Sequence, residues 1–418
     1  MRSLLVLLVA AVAACGPSNR DTGDATPAPD ACVGLECRVT NCGMRPPTTI
    51  SGTVFAPNGT LALYGATVYV PNGDPGPLQD GAVCGQCQNN LPGGAVAHAI
   101  SDEFGKFTLT NVPSGRNIPV IIQIGKWRRQ LQVANVTECQ DNPVPATDTS
   151  LPKNHLEGDM PRIAMVTGGC DALECLVRKL GVADSEFTND SGSGRIQLFD
   201  GGGASAGPGG QALALADTLW STVDKLKKYD VMMASCDCSP NVTRTPESLA
   251  AIKAYADLGG RVFLSHYHSN WITSDWPGVA QCAADGFADG SDTIDQVNNP
   301  KGTSFANWMV NVQGSTTLGI VPITEGKKSC TTIDNTRAER WVYNTNDMTP
   351  QNFQLTTPND VAENARCGRV VFSDMHVASG SSSGTQFPNS CATTPLSPQE
   401  KALAFMFFDI STCVGPIF

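Results

Sequence analysis

Residues 229–271 read YDVMMASCDCSPNVTRTPESLAAIKAYADLGGRVFLSHYHSNW and contain one complete strand–helix–strand unit. Residues 229–235, with an apolar run at their centre, predict a strand, and Thr-Pro-Glu at 245–247 predicts the start of a helix. A glycine pair at 259–260 ends that helix just before a second apolar strand, residues 262–265. Two strands joined through a helix favour a parallel arrangement, because parallel neighbours need a crossover connection.

The same alternation of strands and helices continues in both directions from this unit. Further strands are predicted at residues 162–167, 195–199 and 368–373, and a helix is predicted at 171–180. We therefore expect residues 160–415 to form an α/β domain with a doubly wound, mostly parallel sheet. Ligands of such sheets bind beyond the carboxyl ends of the strands, so the residues that follow the strands form the candidate site.

Glycines and polar side chains follow four of the predicted strands. Because parallel strands end at the same edge of a sheet, these residues are expected to come together. Three of the five histidines of the chain are among them, which is the strongest functional signal in the sequence. The candidate ligand-binding residues are Gly168, Gly169, Asp237, His266, Tyr267, His268, Asp374 and His376.

The histidines allow three hypotheses about chemistry. On an extended chain His266 and His268 project to the same side, so together with His376 and an aspartate they could bind a divalent metal. The same groups could instead hydrogen-bond a sugar. In the third hypothesis Cys236 is a nucleophile and His266 is its base.

These segments also carry a family resemblance. YDVMMASCD at 229–237, the segment at 247–271 and GRVVFSDMH at 368–376 resemble the ThuA-like branch of the class I glutamine amidotransferase-like fold. Amidotransferases of this class place a nucleophilic cysteine on the turn after the strand that corresponds to residues 262–265. Because His266 stands there in this chain, the resemblance implies the fold without the glutaminase chemistry.

Residues 48–141 show a different pattern, in which short β-branched runs alternate with turn residues and predict a small all-β sandwich. The segments ISGTV at 50–54, GATVYV at 65–70 and SDEFGKFTLTNVPSG at 101–115 resemble the carboxypeptidase regulatory-like domain, which has a transthyretin-type fold. That resemblance implies no catalytic residues. The predicted fold class is therefore multidomain, with a β-sandwich followed by the α/β domain.

The N-terminus has the features of an export signal. One positive charge precedes an apolar run that is too short to cross a bilayer, so residues 1–14 are predicted to be a signal peptide. The residues around Cys15 resemble a bacterial lipobox, which implies lipidation of that cysteine. Residues 15–47 are predicted to be a flexible, cysteine-containing tether. The whole arrangement resembles secreted lipoproteins of myxobacterial type, so we expect a lipid-anchored protein at the outer membrane or cell surface.

The composition of the chain limits the ligands that it can bind and indicates the cellular compartment in which it folds. The chain has 418 residues, enough for two cores, and its net charge of −11 argues against a nucleic-acid ligand. Sixteen cysteines in an exported chain point to disulfides. We expect Cys170, Cys175, Cys236 and Cys238 to pair with one another, most readily Cys175 with Cys236. The cysteine left unpaired is expected in the last group, between residues 282 and 413.

Two functions are compatible with these features. The first is a membrane-anchored binding or scaffolding protein whose α/β domain recognises carbohydrate, since Tyr267, Trp271, Trp276 and Trp308 lie in or after the candidate region. The alternative is a metal-dependent hydrolase that acts on glycans or peptidoglycan at the cell surface. The sequence leaves open whether any reaction is catalysed.

Overall fold

The predicted signal peptide, residues 1–14, and Cys15 lie outside the residues that the structure describes. Within the described residues, no helix has the length and apolar character needed to cross a bilayer. The computed structural model describes residues 32–85, 91–239, 244–283, 285–377 and 384–414.

The second half of the predicted tether is attached to the β-rich part of the chain. Cys42 forms a disulfide with Cys139, and the backbone N–H of Leu35 donates to Asn72 Oδ1 at 2.8 Å. These links hold residues 35–42 against the following strands. This part of the segment is therefore not the free tether that its composition predicted.

All strands before residue 144 belong to two small sheets. These strands are β1 (Thr49–Thr53), β2 (Thr67–Pro71), β3 (Ala95–Ile100), β4 (Lys106–Thr110), β5 (Gly115–Ile124), β6 (Trp127–Val136) and β7 (Asp141–Pro143). The sheet orders are β4-β1-β7 and β3-β2-β5-β6. Phe107 and Leu109 of β4 are buried between exposed neighbours, because successive side chains of a strand point to opposite faces.

The rest of the chain combines helices with further strands. The strands are β8 (Ile163–Thr167), β9 (Phe187–Thr188), β10 (Ile196–Asp200), β11 (Ala214–Leu215), β12 (Val231–Ala234), β13 (Arg261–Ser265), β14 (Ala280–Cys282), β15 (Gly290–Ile294), β16 (Ile320–Ile323), β17 (Cys330–Ile333), β18 (Glu339–Asn344), β19 (Pro350–Thr357) and β20 (Gly368–Ser373). The helices are α1 (Leu173–Lys179), α2 (Ala216–Leu219), α3 (Val223–Leu226), α4 (Pro246–Asp257), α5 (Ser269–Asp275), α6 (Gly302–Asn311) and α7 (Pro398–Ile410).

Eleven of these strands form one sheet in the order β11-β10-β8-β12-β13-β20-β19-β18-β15-β16, with β9 paired to β10. From β11 to β20 all pairs are parallel, as predicted. Beyond β20 the strands β19, β18, β15 and β16 pair in antiparallel fashion. The sheet is therefore mixed, with six parallel and four antiparallel pairs among its described strands, because the chain after β13 adds antiparallel strands before it enters β20.

The two parts of the chain share one apolar core. A single cluster of buried side chains includes Ile50 of β1 as well as Phe263 of β13. Helix α7 joins them, since Trp127 of β6 packs edge-on against Phe407 with ring centroids 6.2 Å apart. The length of the chain predicted two cores, and two clusters of buried side chains are present. They are not divided between the β-rich and the α/β parts, however, because alternate residues of the central strands belong to one cluster and to the other.

Candidate functional site

The strands β8, β12, β13 and β20 lie side by side, and their carboxyl ends meet at one edge of the sheet. The register aligns Ser265 of β13 with Ser373 of β20. The residues that follow these strands are consequently close to one another. His266 and His376 meet there with ring centroids 5.0 Å apart, and Cys236, which follows β12, joins them.

Cys236, His266 and His376 form a compact group, here called the Cys-His-His cluster. The Sγ atom of Cys236 lies 3.2 Å from Nδ1 of His266, and one ligand atom of each residue lies within 4.8 Å of the other two. Metal–sulfur and metal–nitrogen bonds of about 2.3 and 2.0 Å place such ligands roughly 3.5 Å apart. The cluster therefore needs only small side-chain movements to hold a metal ion.

The backbone at His266 turns this side chain into the cluster. Its φ of 46° lies in the left-handed region, which residues with a Cβ seldom adopt. A short 3₁₀ turn, His266–His268, starts at this residue, so the chain is not extended there. The prediction that His266 and His268 project to the same side is wrong for this reason.

His268 belongs to a separate network. Its Nε2 donates to the carbonyl oxygen of Ser235 at 2.8 Å, and its Nδ1 accepts from Arg244 at 3.1 Å. Both ring nitrogens are thus used by protein groups. The predicted metal set of His266, His268 and His376 is therefore corrected, because Cys236 takes the place of His268 in the cluster.

The two candidate aspartates also lie outside the cluster. Asp374 accepts hydrogen bonds from the backbone N–H and the hydroxyl of Ser329, at 2.8 and 2.6 Å, and burial raises its pKa to about 7. Asp237 forms an ion pair with Arg244 at 2.8 Å. The predicted aspartate ligand is therefore not found among these residues.

The remaining candidates shape the surroundings of the cluster. A Cβ atom on Gly168 would lie 2.2 Å from the carbonyl oxygen of Cys236, and one on Gly169 would lie 2.9 Å from that of Gly202. These glycines let the turns after β8, β10 and β12 pack closely. Half-buried Tyr267 stacks on the ring of His266 with centroids 3.7 Å apart and so covers the cluster.

Asp171, which we did not predict as a site residue, connects the turns that carry the two histidines. Its Oδ2 accepts from the hydroxyl of Ser265 at 2.6 Å, and its Oδ1 accepts from the backbone N–H of Val377 at 2.8 Å. Ser265 precedes His266, and Val377 follows His376. The only sequence signal was an acidic residue between a strand end and a helix start, which equally fits a helix cap.

Burial sets the protonation states of the cluster. It lowers the pKa of His266 to about 3, with further contributions from His376 and Lys327. Burial and the charge of Lys327 lower the pKa of His376 to about 3 as well. The pKa of Cys236 is raised to about 12, again mainly by burial. At neutral pH the cluster consists of two neutral imidazoles, the form that binds metals, and a protonated thiol.

The predicted pairing holds in part, because Cys170 and Cys238 bond within the predicted group of four, whereas Cys175 and Cys236 do not bond to each other. Cys170 pairs with Cys238 and Cys175 with Cys391, while Cys236 is a buried free thiol. The prediction of a Cys175–Cys236 bond is wrong. The N–H of Cys170 donates to the carbonyl oxygen of Cys236 at 3.2 Å, which sets Cys170 beside Cys238. The expectation of an unpaired cysteine in the last group is also corrected.

The tryptophans near the candidate region are core residues. Trp271, Trp276 and Trp308 are no more than 1% exposed, so they offer no surface for stacking on a sugar. Hydrogen bonding and packing explain them, as in the bond from Trp308 Nε1 to the carbonyl oxygen of Ala62 at 2.8 Å. The support that these three tryptophans gave to a carbohydrate cleft is therefore lost, and of the four predicted aromatic residues only half-buried Tyr267 keeps an exposed part.

A cavity with both charged and apolar lining residues opens at the same edge of the sheet as the cluster. It has a volume of about 290 Å³, and Asp200, Asp217, Trp220, Asp237 and Arg244 are among the residues that line it. A larger cavity of about 850 Å³ lies elsewhere and is lined by residues 58–61 of the β-rich part, the C-terminal ends of α1 and α6, and residues 392–396. Of these two, the smaller cavity includes residues that follow β10 and β12.

Comparisons with known proteins give distant structural neighbours. No protein-family model matches this chain, and none of the curated proteins matches it. A solved structure from Thermoplasma acidophilum, described as one chain of a GMP synthase, aligns with 60% of this chain and 96% of its own, at 10% identity and a TM-score of 0.33. A ThuA-like protein from Bacteroides uniformis aligns with 59% and 90%, at 13% identity and a TM-score of 0.32. These alignments are distant structural similarities and give no information on the activity of this chain.

Proposed function

We propose that this chain is an exported, lipid-anchored binding protein that holds one metal ion in its Cys-His-His cluster. The observation that carries the proposal is the approach of one sulfur and two imidazole nitrogens to within 4.8 Å of one another. Nε2 of both His266 and His376 is buried without a hydrogen-bond partner among the described residues. Buried polar atoms normally have a partner, and a metal ion supplies one here.

Two hydrolase functions are less well supported than metal binding. A metal-dependent hydrolase that cleaves glycans or peptidoglycan needs a coordination position open to its substrate, whereas the cluster residues are no more than 2% exposed. A thiol hydrolase is favoured by the 3.2 Å contact between Cys236 and His266. It is opposed by burial, which raises the pKa of Cys236 to about 12 and so keeps the thiol protonated.

Carbohydrate recognition is our second candidate function, and the charged side chains that line the cavity of about 290 Å³ favour it. Carboxylates and a guanidinium can hydrogen-bond sugar hydroxyls, and the cavity lies where ligands of such sheets bind. Replacing Asp237 with Asn breaks the ion pair with Arg244 and should weaken glycan binding at least about 10-fold. Unchanged affinity of the variant in a glycan-array titration would count against this candidate.

Export and membrane attachment complete the proposal. Six disulfides among the described cysteines are in keeping with an oxidising compartment. We include in the proposal a carboxypeptidase regulatory-like sandwich at residues 48–141 and a ThuA-like, doubly wound domain at residues 160–415. Cys15→Ser should release the protein from washed membranes, since lipid on Cys15 is its proposed anchor; retention of the variant there would rule the anchor out.

Metal content tests the binding function directly. The full chain, with its disulfides formed, is loaded separately with Zn(II) and with Cu(I), and the bound metal is counted by mass spectrometry. We expect one ion per chain for at least one of the two metals, and its loss in Cys236→Ser. His98→Ala, which changes an exposed histidine on β3, should keep the ion and serves as the control. A wild-type protein that retains neither metal, or a Cys236→Ser protein that retains the same amount, would refute the metal centre.

A further inference from the structure

Among the His, Cys, Asp and Glu side chains of the described residues, the cluster supplies three ligands. The group of potential ligand atoms comprises Cys236, His266 and His376. The nearby carboxylate of Asp171 is already occupied, because its two oxygens accept hydrogen bonds from Ser265 and Val377. A metal bound here is therefore held by one thiolate and two imidazoles.

We infer that, given the metal centre proposed above, the cluster selects Cu(I) over Zn(II). Structural zinc sites are almost always tetrahedral with four protein ligands, and this cluster lacks the fourth. Copper, in contrast, is commonly held by two histidines and one cysteine in a trigonal arrangement. Thiolate sulfur is also a soft ligand of the kind that Cu(I) prefers.

The charge of the loaded centre supports the same choice. Metal binding replaces the proton of the Cys236 thiol, which leaves to solvent, so the ligands contribute one negative charge. With Cu(I) the centre is then neutral, whereas with Zn(II) it keeps one positive charge. Burying an uncompensated charge is unfavourable, and the cluster residues are no more than 2% exposed.

A neighbouring cation makes the additional charge more unfavourable. Lys327 is close enough to act electrostatically on both His266 and His376, where its positive charge opposes a second one. The backbone fixes its place, because the N–H of Lys327 donates to the carbonyl oxygen of Asp374 at 2.8 Å. The negative charge of Asp285 favours a positive charge at His266. Asp285 is exposed, however, so solvent screens its charge.

Competition between the two ions tests this inference. The full chain with intact disulfides is titrated without oxygen, once with Cu(I) and once with Zn(II), each against a chelator of known affinity. We expect one Cu(I) per chain, bound at least about 100-fold more tightly than Zn(II), because several kcal/mol separate a buried charge from a neutral centre. X-ray absorption at the copper edge should show one sulfur and two nitrogen ligands.

Variants locate the ion and separate the possible results. Cys236→Ser should weaken Cu(I) binding at least about 100-fold, since it removes the soft ligand, and His98→Ala should leave binding unchanged. Circular dichroism checks that Cys236→Ser is folded. If that variant is unfolded, His376→Ala provides a second test of the same site. Zn(II) bound as tightly as Cu(I) would overturn the inference while leaving the metal centre intact. Cu(I) binding that survives in both variants would overturn the inference by placing copper elsewhere, and binding of neither ion would refute the centre itself.

Discussion

His266 adopts a backbone conformation that costs about 1–3 kcal/mol for a residue with a Cβ atom. Its φ of 46° brings the imidazole to the thiol of Cys236 on the neighbouring strand end. Such strain persists only where surrounding contacts hold it, and here the hydrogen bond from Ser265 to Asp171 lies directly before the turn. Asp171 is therefore a positioning residue for the cluster.

The role of Asp171 leads to a residue-scale prediction. In Asp171→Asn the amide nitrogen must face either Ser265 or Val377 in place of an accepting oxygen, so the histidine-bearing turns lose one anchor. Loss of such outer partners typically weakens metal binding about 10–100-fold, and we expect a decrease in that range for the metal that the cluster binds. Glu174→Gln is the matched control, because Glu174 is equally buried in α1 and has an unpartnered Oε2. Equal metal affinity in the two variants would contradict the positioning role.

At the scale of elements, apolar strands were predictable and polar ones were not. β8, β12, β13 and β20 are runs of apolar residues, and the predicted positions agree with the structure. β19 was not predicted, because its buried residues include Gln351, Asn352 and Gln354, which read as a loop in sequence. Since β19 begins the antiparallel extension, its omission also left that part of the sheet unpredicted.

In the site, too, features that depend on local sequence were predictable, and features that depend on contacts between distant residues were not. His266 and His376 could be placed from strand polarity alone. Cys236 was placed beside His266 in one hypothesis and in a disulfide in another prediction. The sequence could not decide between them, because an odd number of cysteines does not indicate which one is free, and pairing depends on distances across the fold. The exclusion of His268 likewise depended on one 3₁₀ turn that interrupts the extended chain.

The N-terminus of α4 provides an element-scale prediction. The hydroxyl of Thr245 accepts from the backbone N–H of Ser248 at 3.2 Å, so Thr245→Ala leaves one helix donor without its cap. We expect the free energy of unfolding to fall by about 1 kcal/mol, measured by chemical denaturation. Thr222→Ala is the matched control, because Thr222 precedes α3 without a side-chain capping bond, and it should change stability by less than about 0.5 kcal/mol. A loss as large in the control would show that capping is not the cause.

For the whole molecule, the continuous core implies that the β-rich and α/β parts unfold together. Trp127 of β6 packs against Phe407 of α7, and the disulfide between Cys84 and Cys367 links the two parts covalently. Calorimetry should therefore record one cooperative transition whose calorimetric and van 't Hoff enthalpies agree.

Phe407→Ala opens a cavity in the shared core and should destabilise the whole protein by about 3–5 kcal/mol. Phe104→Ala, at a side chain that is 51% exposed, is the control and should have little effect. Two separate transitions, with only one shifted by Phe407→Ala, would contradict the shared core.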